Sequence, residues 1–265
     1  MTDDYTNIIE NLLATTLDAG RVIMEVYATD FSVTEKADSS PVTIADQRAE
    51  VVITDALNKI SPHIPIVGEE AASEGIIPDI SAGTFWLVDP LDGTKEFIHR
   101  RGAFTVNIGL IEDKKVRAGI VFAPDKKQIW WGIVGKGAWT ADVENYKLKN
   151  TRPINTRKAV ADQLVIVASK SHRSEALEAW LTQYPTADHI SIGSSLKFCL
   201  LAEGKADLYP RLGPTCEWDT AAAHAVLEAA GGSVTNFDGS AFTYAKNTKT
   251  FLNPNFIAVG DRHFL

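Results

Sequence analysis

Seven acids, Glu69, Glu70, Glu74, Asp79, Asp89, Asp92 and Glu96, lie between residues 69 and 96 with a single base, Lys95. Asp89 and Asp92 flank Pro90-Leu91, and the fixed φ of proline stiffens the turn between them. If that turn carries both carboxylates to one side, two like charges share a small volume, which is costly unless a cation sits between them. Oxygen donors with no His or Cys nearby suit Mg2+ rather than zinc. Turn-making is the competing account, because Asp-Pro and Asp-Gly are ordinary turn formers. Asp92-Gly93-Thr94 then leads into Lys95-Glu96-Phe97-Ile98, a run able to form a helical turn that offers its first amides to an anion. Gly93 lets a ligand approach the backbone. Carboxylates that hold a metal beside a backbone phosphate cradle are what metal-assisted phosphoryl transfer needs. Glu74 and Asp79 fall in a Gly/Pro-containing loop and are expected to be solvated.

Two further acids have two readings each. Asp46 has Ala49 and Ile53 three and seven residues on, which turns it toward the apolar side of its helix. Thr43-Ile44-Ala45-Asp46 is also a capping-box pattern. Asp219 follows Glu217-Trp218 and is expected at the N-cap of a helix beginning at Thr220, where a carboxylate is normal. An acid at that place could equally be a metal ligand.

The elements that must position these groups follow from periodicity. Ile8, Ile9, Leu12, Leu13, Leu17 and Ile23 predict an amphipathic helix over Tyr5 to Tyr27, and a second is expected from Thr43 to Ile60. Short strands are expected at Ile64 to Val67 and Phe85 to Val88, each ending in acids. Thr105 to Ile111, Val116 to Phe122 and Gln128 to Val134 read as an antiparallel meander. After a polar stretch from Val143 to Thr156, strands (Leu164 to Ala168, His189 to Ile192, Ala206 to Tyr209) alternate with helices (Arg173 to Gln183, Leu196 to Ala202, Thr220 to Ala230). This predicts an α+β half, residues 1–150, joined to an α/β half, residues 151–265.

The chain has 265 residues, 45% of them apolar, and a formal charge of −8. That balance argues against a nucleic-acid polymer as partner, since backbone binding needs a basic surface. The apolar fraction is ample for a core, so disorder is not expected. The longest nearly apolar run, Ile129 to Gly135, is far short of the ~20 residues of a membrane span. The acidic N-terminus, Met1-Thr2-Asp3-Asp4, lacks the features of a secretory signal. Cys199 and Cys216 have no metal-site spacing, and two scattered thiols fit a reducing cytoplasm better than one disulfide.

Taken in order, Asp46, Glu69-Glu70, Asp89-Pro90-Leu91-Asp92-Gly93-Thr94 and Trp218-Asp219-Thr220-Ala221-Ala222 resemble the inositol monophosphatase-like superfamily of Mg2+-dependent, lithium-sensitive phosphatases. Lys36 to Asp46 with its Ser40-Pro41-Val42-Thr43-Ile44-Ala45-Asp46 core, Lys95-Glu96-Phe97, Gly193 to Cys199 and Ala202 to Arg211 resemble its CysQ-type branch, the 3′(2′),5′-bisphosphate nucleotidases. The inositol enzymes carry a glutamate seven residues before the last metal-binding aspartate; here that position is Leu212. The resemblance implies a layered αβαβα sandwich of the inositol monophosphatase/fructose bisphosphatase type. It implies hydrolysis of the 3′-phosphate of adenosine 3′,5′-bisphosphate, with its sulfated relative as a further substrate, in sulfur assimilation and nucleotide recycling.

By residue, the resemblance implies that Glu69, Asp89 and the Leu91 carbonyl hold the activating Mg2+. Asp89, Asp92 and Asp219 would hold a second ion at the leaving oxygen, and a third ion is compatible with the pattern. Glu70 would stand just outside. Thr94, bonded to Asp46, would orient and deprotonate the attacking water, while the Gly93 and Thr94 amides bind the phosphate removed. Ser169, His172, Lys197 and Arg211 are candidates for the rest of the nucleotide, a second phosphate needing cationic partners. Against these, Lys197 could be a solvated helix lysine and His172 a surface loop histidine. The partner implied is a small nucleotide bisphosphate, bound by a cytoplasmic monomer or homodimer without an integral membrane segment; some relatives are described as peripheral on the cytoplasmic face of the inner membrane. The competing functions are an inositol or sugar monophosphatase and a non-catalytic metabolite sensor. No Ser, Cys or His stands out as a nucleophile with a partner, so no phosphoenzyme is expected.

Overall fold

A computed structural model describes residues 2–36, 41–168 and 174–264. Ser40, Ser169, His172 and the expected helix start at Arg173 lie outside the described residues.

Helix α1 (Thr2–Tyr27) is followed by a two-stranded ribbon, β1 (Val33–Glu35) and β2 (Pro41–Thr43), then α2 (Ile44–Ile60), β3 (Ile66–Gly68) and α3 (Glu69–Ser73). Strand β4 (Thr84–Asp92) leads through Gly93 into α4 (Thr94–Ile98). Five strands then run up and down: β5 (Thr105–Glu112), β6 (Lys115–Ala123), β7 (Gln128–Ile133), β8 (Gly137–Glu144) and β9 (Lys147–Ile154). With β3 and β4 they form a seven-stranded sheet in chain order, parallel only between β3 and β4. The rest is β10 (Val165–Ala168), α5 (Glu175–Leu181), β11 (Asp188–Ser191), α6 (Leu196–Ala202), β12 (Leu208–Arg211), α7 (Glu217–Ala229), β13 (Ser233–Asn236) and β14 (Phe256–Val259). Its five strands form a second, mixed sheet in the order β11-β10-β12-β14-β13.

Period-two alternation sets the layers. Trp86 and Val88 on β4 point to the core shared with α1 and α2, whereas Phe85 and Leu87 point to the core shared with α6 and α7. On β10, Val167 faces α6 and α7, while Ile166 and Ala168 face α5. The stack is therefore helix, sheet, helix, sheet, helix, the expected αβαβα sandwich. Among the described residues, no helix is long and apolar enough to cross a membrane. Neither Cys199 nor Cys216 forms a disulfide.

Three expectations are corrected. The polar stretch after Val143 contains the β8–β9 hairpin; β9 is an edge strand, and Lys147, Lys149 and Arg152 give it the charged character that protects such edges. Strand β4 does not stop at Val88 but carries both Asp89 and Asp92. Its pairing with β3 ends at Val88, so Pro90 loses no β3 ladder bond, and the register with β5 shifts between Asp89 and Asp92. Helix α7 begins at Glu217, so Asp219 is its third residue, reaching back to the N–H of the N-cap Cys216 at 2.8 Å.

Helix α7 lies across the seven-stranded sheet in a trough without side chains. Gly109, Gly119 and Gly132 are direct cross-strand partners on β5, β6 and β7. A β-carbon on Gly119 would stand 2.2 Å from the Ala222 carbonyl oxygen, and one on Gly132 would stand 2.8 Å from Val226 Cα.

Candidate active site

The acids gather where β4 runs into α4. Gly93 has φ +93°, and a β-carbon there would meet the Ala103 carbonyl oxygen at 2.9 Å, so glycine is what lets the chain turn. The turn places Thr94 with its hydroxyl 3.1 Å from the Leu91 carbonyl and 3.2 Å from Asp46 Oδ1, two acceptors for one proton. The other oxygen of Asp46 accepts from the Thr43 amide at 2.8 Å and hydroxyl at 2.7 Å. Both readings of Asp46 therefore hold at once: one oxygen caps α2 and the other faces the site.

Asp89 is buried and folds one oxygen onto the Leu91 amide at 3.0 Å. Asp92 accepts from the Ser195 amide at 2.6 Å. Glu69 and Glu70 open α3, and the Lys36 ammonium bridges them at 2.7 and 2.8 Å. These pieces surround a cleft of about 240 Å3 lined by Glu69, Asp92, Gly93, Thr94, Lys197 and Asp219, among others. Asp46, Glu70, Asp89 and Leu91 are not among its lining residues. Glu74 and Asp79 are exposed, as expected.

Crowding and burial leave Asp46, Glu70, Asp89, Asp92 and Asp219 reluctant to ionise. Burial, then the charge of Glu69 and of the neighbouring aspartates, raises Asp89 well above the usual range; for Asp219 the order is burial, Asp92, then Glu69. Burial lifts Asp92 to about 6 although Lys197 and the Ser195 amide pull it down. Burial lifts Asp46 to about 6 against its Thr43 hydrogen bonds, and burial with the charge of Glu69 lifts Glu70 to about 7 against Lys36.

Glu69, Asp89, Asp92 and Asp219 with the Leu91 carbonyl are an oxygen-only donor set whose mutual repulsion a hard divalent cation would relieve. Among the described residues, no three His, Cys, Asp or Glu side chains yet converge on one point, and Lys36 holds Glu69 in its present orientation. The donor chemistry fits a hard divalent cation.

The cleft also holds the cations Lys197 and Arg211. Lys197 is no solvated helix lysine: it is 4% exposed, and its Nζ donates to the Ser194 carbonyl at 2.6 Å. Burial, reinforced by Arg211, lowers its pKa to about 8 against the pull of Asp92. Arg211 gives one Nη to the Pro214 carbonyl at 2.8 Å. The Arg211 Nε and the Ser194 hydroxyl are among the few buried polar atoms of the described residues with no hydrogen-bond partner. Ser194, at φ +48°, was not singled out by sequence reasoning, although it sits three residues before Lys197 in the same run. Lys36 opens a run that resembles the CysQ branch but has no site role in the sequence reading, because nothing in its spacing ties it to acids more than thirty residues away.

The chain matches the inositol monophosphatase family over residues 4–259. It is 42% identical to the 3′(2′),5′-bisphosphate nucleotidase CysQ of Salmonella typhimurium, over 94% of this chain and 98% of the relative. Identity to the Escherichia coli K12 protein of the same name is 43%, over 90% and 94%. CysQ from Bacteroides thetaiotaomicron shares 37% identity and a TM-score of 0.80, covering 97% of this chain and 98% of that one. An inositol monophosphatase from Anabaena, at 24% identity, shares the fold with a TM-score of 0.76 over 97% and 92%. With family match, near-complete coverage and fold in agreement, the chain belongs to the inositol monophosphatase family, whose members are generally metal-dependent.

Proposed function

We propose that the chain is a 3′(2′),5′-bisphosphate nucleotidase that removes the 3′-phosphate of adenosine 3′,5′-bisphosphate, the activity for which its CysQ relatives are named. The observation that carries this reading is that cations line the cleft together with the acids. Lys197, Arg211 and Ser194 line the same cleft as Asp92 and Asp219, and the Arg211 Nε and Ser194 hydroxyl have no hydrogen-bond partner among the described residues, which supports a substrate with a second phosphate. Leu212, at the place of the inositol enzymes' glutamate, offers no acceptor for sugar hydroxyls. Ser169 and His172 stay candidates for the nucleotide.

Mg2+ is the proposed metal, two or three ions, held by Glu69, Asp89, the Leu91 carbonyl, Asp92 and Asp219. When bound, such ions neutralise the carboxylates, acidify the attacking water and stabilise the departing oxygen. Thr94 takes the proton of the water as its own passes to Asp46 Oδ1, the acceptor 3.2 Å away. Asp46 keeps its orientation through this exchange because Thr43 grips the other oxygen. The Gly93 and Thr94 amides seat the phosphate under attack. A bond forms between water oxygen and phosphorus, that to the ribose oxygen breaks, and the ribose oxygen takes up a proton.

This reading goes with a division at residue 150: residues 1–150 supply the nucleophile side, residues 151–265 supply Asp219 and the nucleotide contacts. It also goes with a cytoplasmic monomer or homodimer. The test is kcat/KM for adenosine 3′,5′-bisphosphate beside inositol 1-phosphate, with and without Mg2+. The bisphosphate should be preferred, and Lys197→Ala or Arg211→Ala should raise its KM far more than that of a one-phosphate substrate. Equal effects on both substrates reject the second-phosphate role, and preference for inositol 1-phosphate rejects the activity.

A further inference from the structure

Helix α3 begins with Glu69 and has nothing of its own to begin it with. The residue before it, Gly68, has no side chain to cap the free amides that open every helix. The cap comes from another helix. Glu50, buried on α2 one turn after Asp46, accepts from the Glu70 amide through Oε2 and from the Ala71 amide through Oε1, both at 2.9 Å. Gly68 is bare for the same reason, since a β-carbon there would lie 2.5 Å from Glu50 Oε2.

From this bidentate clamp we propose that Glu50 is a positioning residue of the active site, which fixes the start of α3 and so the direction from which Glu69 reaches a divalent cation. The proposal rests on the reading of Glu69 as a cation ligand. Glu50 joins the two acidic elements on one side of the site: α2 carries Asp46 and Glu50 a turn apart, and α3 carries Glu69 and Glu70. A carboxylate here adds negative charge to a crowded, poorly solvated region, which is unfavourable. What it gains is two acceptor oxygens in one plane, matched to two successive amides; the amide of a glutamine offers one. Groups that orient metal ligands in this way typically change metal affinity by about 10–100-fold when removed.

The test compares Glu50→Gln, Glu50→Asp and Gly68→Ala with wild type. Mg2+ binding is measured by calorimetry, exchange of the Glu70 and Ala71 amides by hydrogen–deuterium methods, and KM and kcat at saturating Mg2+. Glu50→Asp keeps the charge and loses the reach; Glu50→Gln loses charge and one acceptor; Gly68→Ala keeps the carboxylate and displaces it. All three should weaken Mg2+ binding roughly tenfold or more and speed exchange at both amides, with nucleotide KM little changed. Wild-type affinity in Glu50→Asp and Gly68→Ala, with weak binding only in Glu50→Gln, means that charge alone matters and overturns the proposal. Fast amide exchange with unaltered Mg2+ affinity in all three also overturns it, reducing the clamp to a structural cap. Failure of wild type itself to bind Mg2+ refutes the cation reading, and slow amide exchange in the variants refutes the clamp separately.

Discussion

Stripping the protein of divalent cations and raising the pH across the carboxylate range should make the fold less stable, contrary to the behaviour of most acids. Asp46, Glu70 and Asp92 have folded-state pKa values of about 6, about 7 and about 6, against ordinary values of 3.8, 4.5 and 3.8. A raised acid keeps in the folded state a proton that the unfolded chain has released. Its contribution is therefore fully present below about pH 4 and is lost as the pH climbs through 6 to 7. Ionising one carboxylate displaced from 3.8 to about 6 costs ~3 kcal/mol. The repulsion is shared among neighbours, so the losses do not add in full, and ~3–6 kcal/mol is expected in total. In a chain of this size that is a fall in Tm of roughly 6–12 °C. A cation that binds the ionised carboxylates displaces the protons, so the fall should shrink or vanish when Mg2+ is added. Differential scanning calorimetry over about pH 4.5 to 7.5, in chelator and again in Mg2+, measures both. A chelated protein whose Tm stays flat or rises across that span refutes the reasoning, as does a fall that Mg2+ leaves untouched.

Thr94→Val removes the hydroxyl between water and Asp46 and should lower kcat about 10²–10⁴-fold with an unchanged melting curve; near-normal turnover rejects its role. Lys36→Met should destabilise the chelated protein by ~1–3 kcal/mol, because Glu69 and Glu70 lose their bridge, yet tighten Mg2+ binding by removing the competing ammonium. Weaker Mg2+ binding in that variant counts against competition. Asn253 donates to the Cys216 carbonyl at 2.7 Å and to the hydroxyls of Thr215 and Thr220, pinning the start of α7. Asn253→Ala should cost ~1–3 kcal/mol in urea unfolding and reduce kcat through Asp219; a loss of stability with full kcat shows that Asp219 is held by its helix alone.

What sequence reasoning reached and what it did not follow a physical line. Asp89-Pro90-Leu91-Asp92-Gly93-Thr94 was legible because chemistry and geometry are packed into six consecutive residues. Helices α1 and α2 were legible because their apolar stripes run for several turns. Strand β9 was hidden because an edge strand faces water on most sides and shows no alternation, and β13 and β14 are four residues each, too short for a period to register. The start of α7 was expected three residues late because what starts it is tertiary: the Glu217 amide bonds the Phe251 carbonyl at 2.7 Å, and the Glu217 carboxylate is held by the amides of Ala245 and Lys246. Lys36 and Glu50 act across gaps that no local pattern spans.

The trough of Gly109, Gly119 and Gly132 has a bearing on selectivity. Helix α7 carries Asp219, while Asp89 and Asp92 belong to the sheet the helix rests on, so the width of the acid cluster is a thickness: how near a helix can lie to bare backbone. A single methyl on Gly119 would have to lift the helix by about 1 Å to turn its 2.2 Å approach into an ordinary contact. Oxygen distances around Mg2+ and Ca2+ differ by only about 0.3–0.5 Å. If Asp89, Asp92 and Asp219 hold the cation as proposed, three absent side chains between helix and sheet set the gauge that separates one ion from the other, and sequence drift there would change which ion fits while leaving every proposed donor in place.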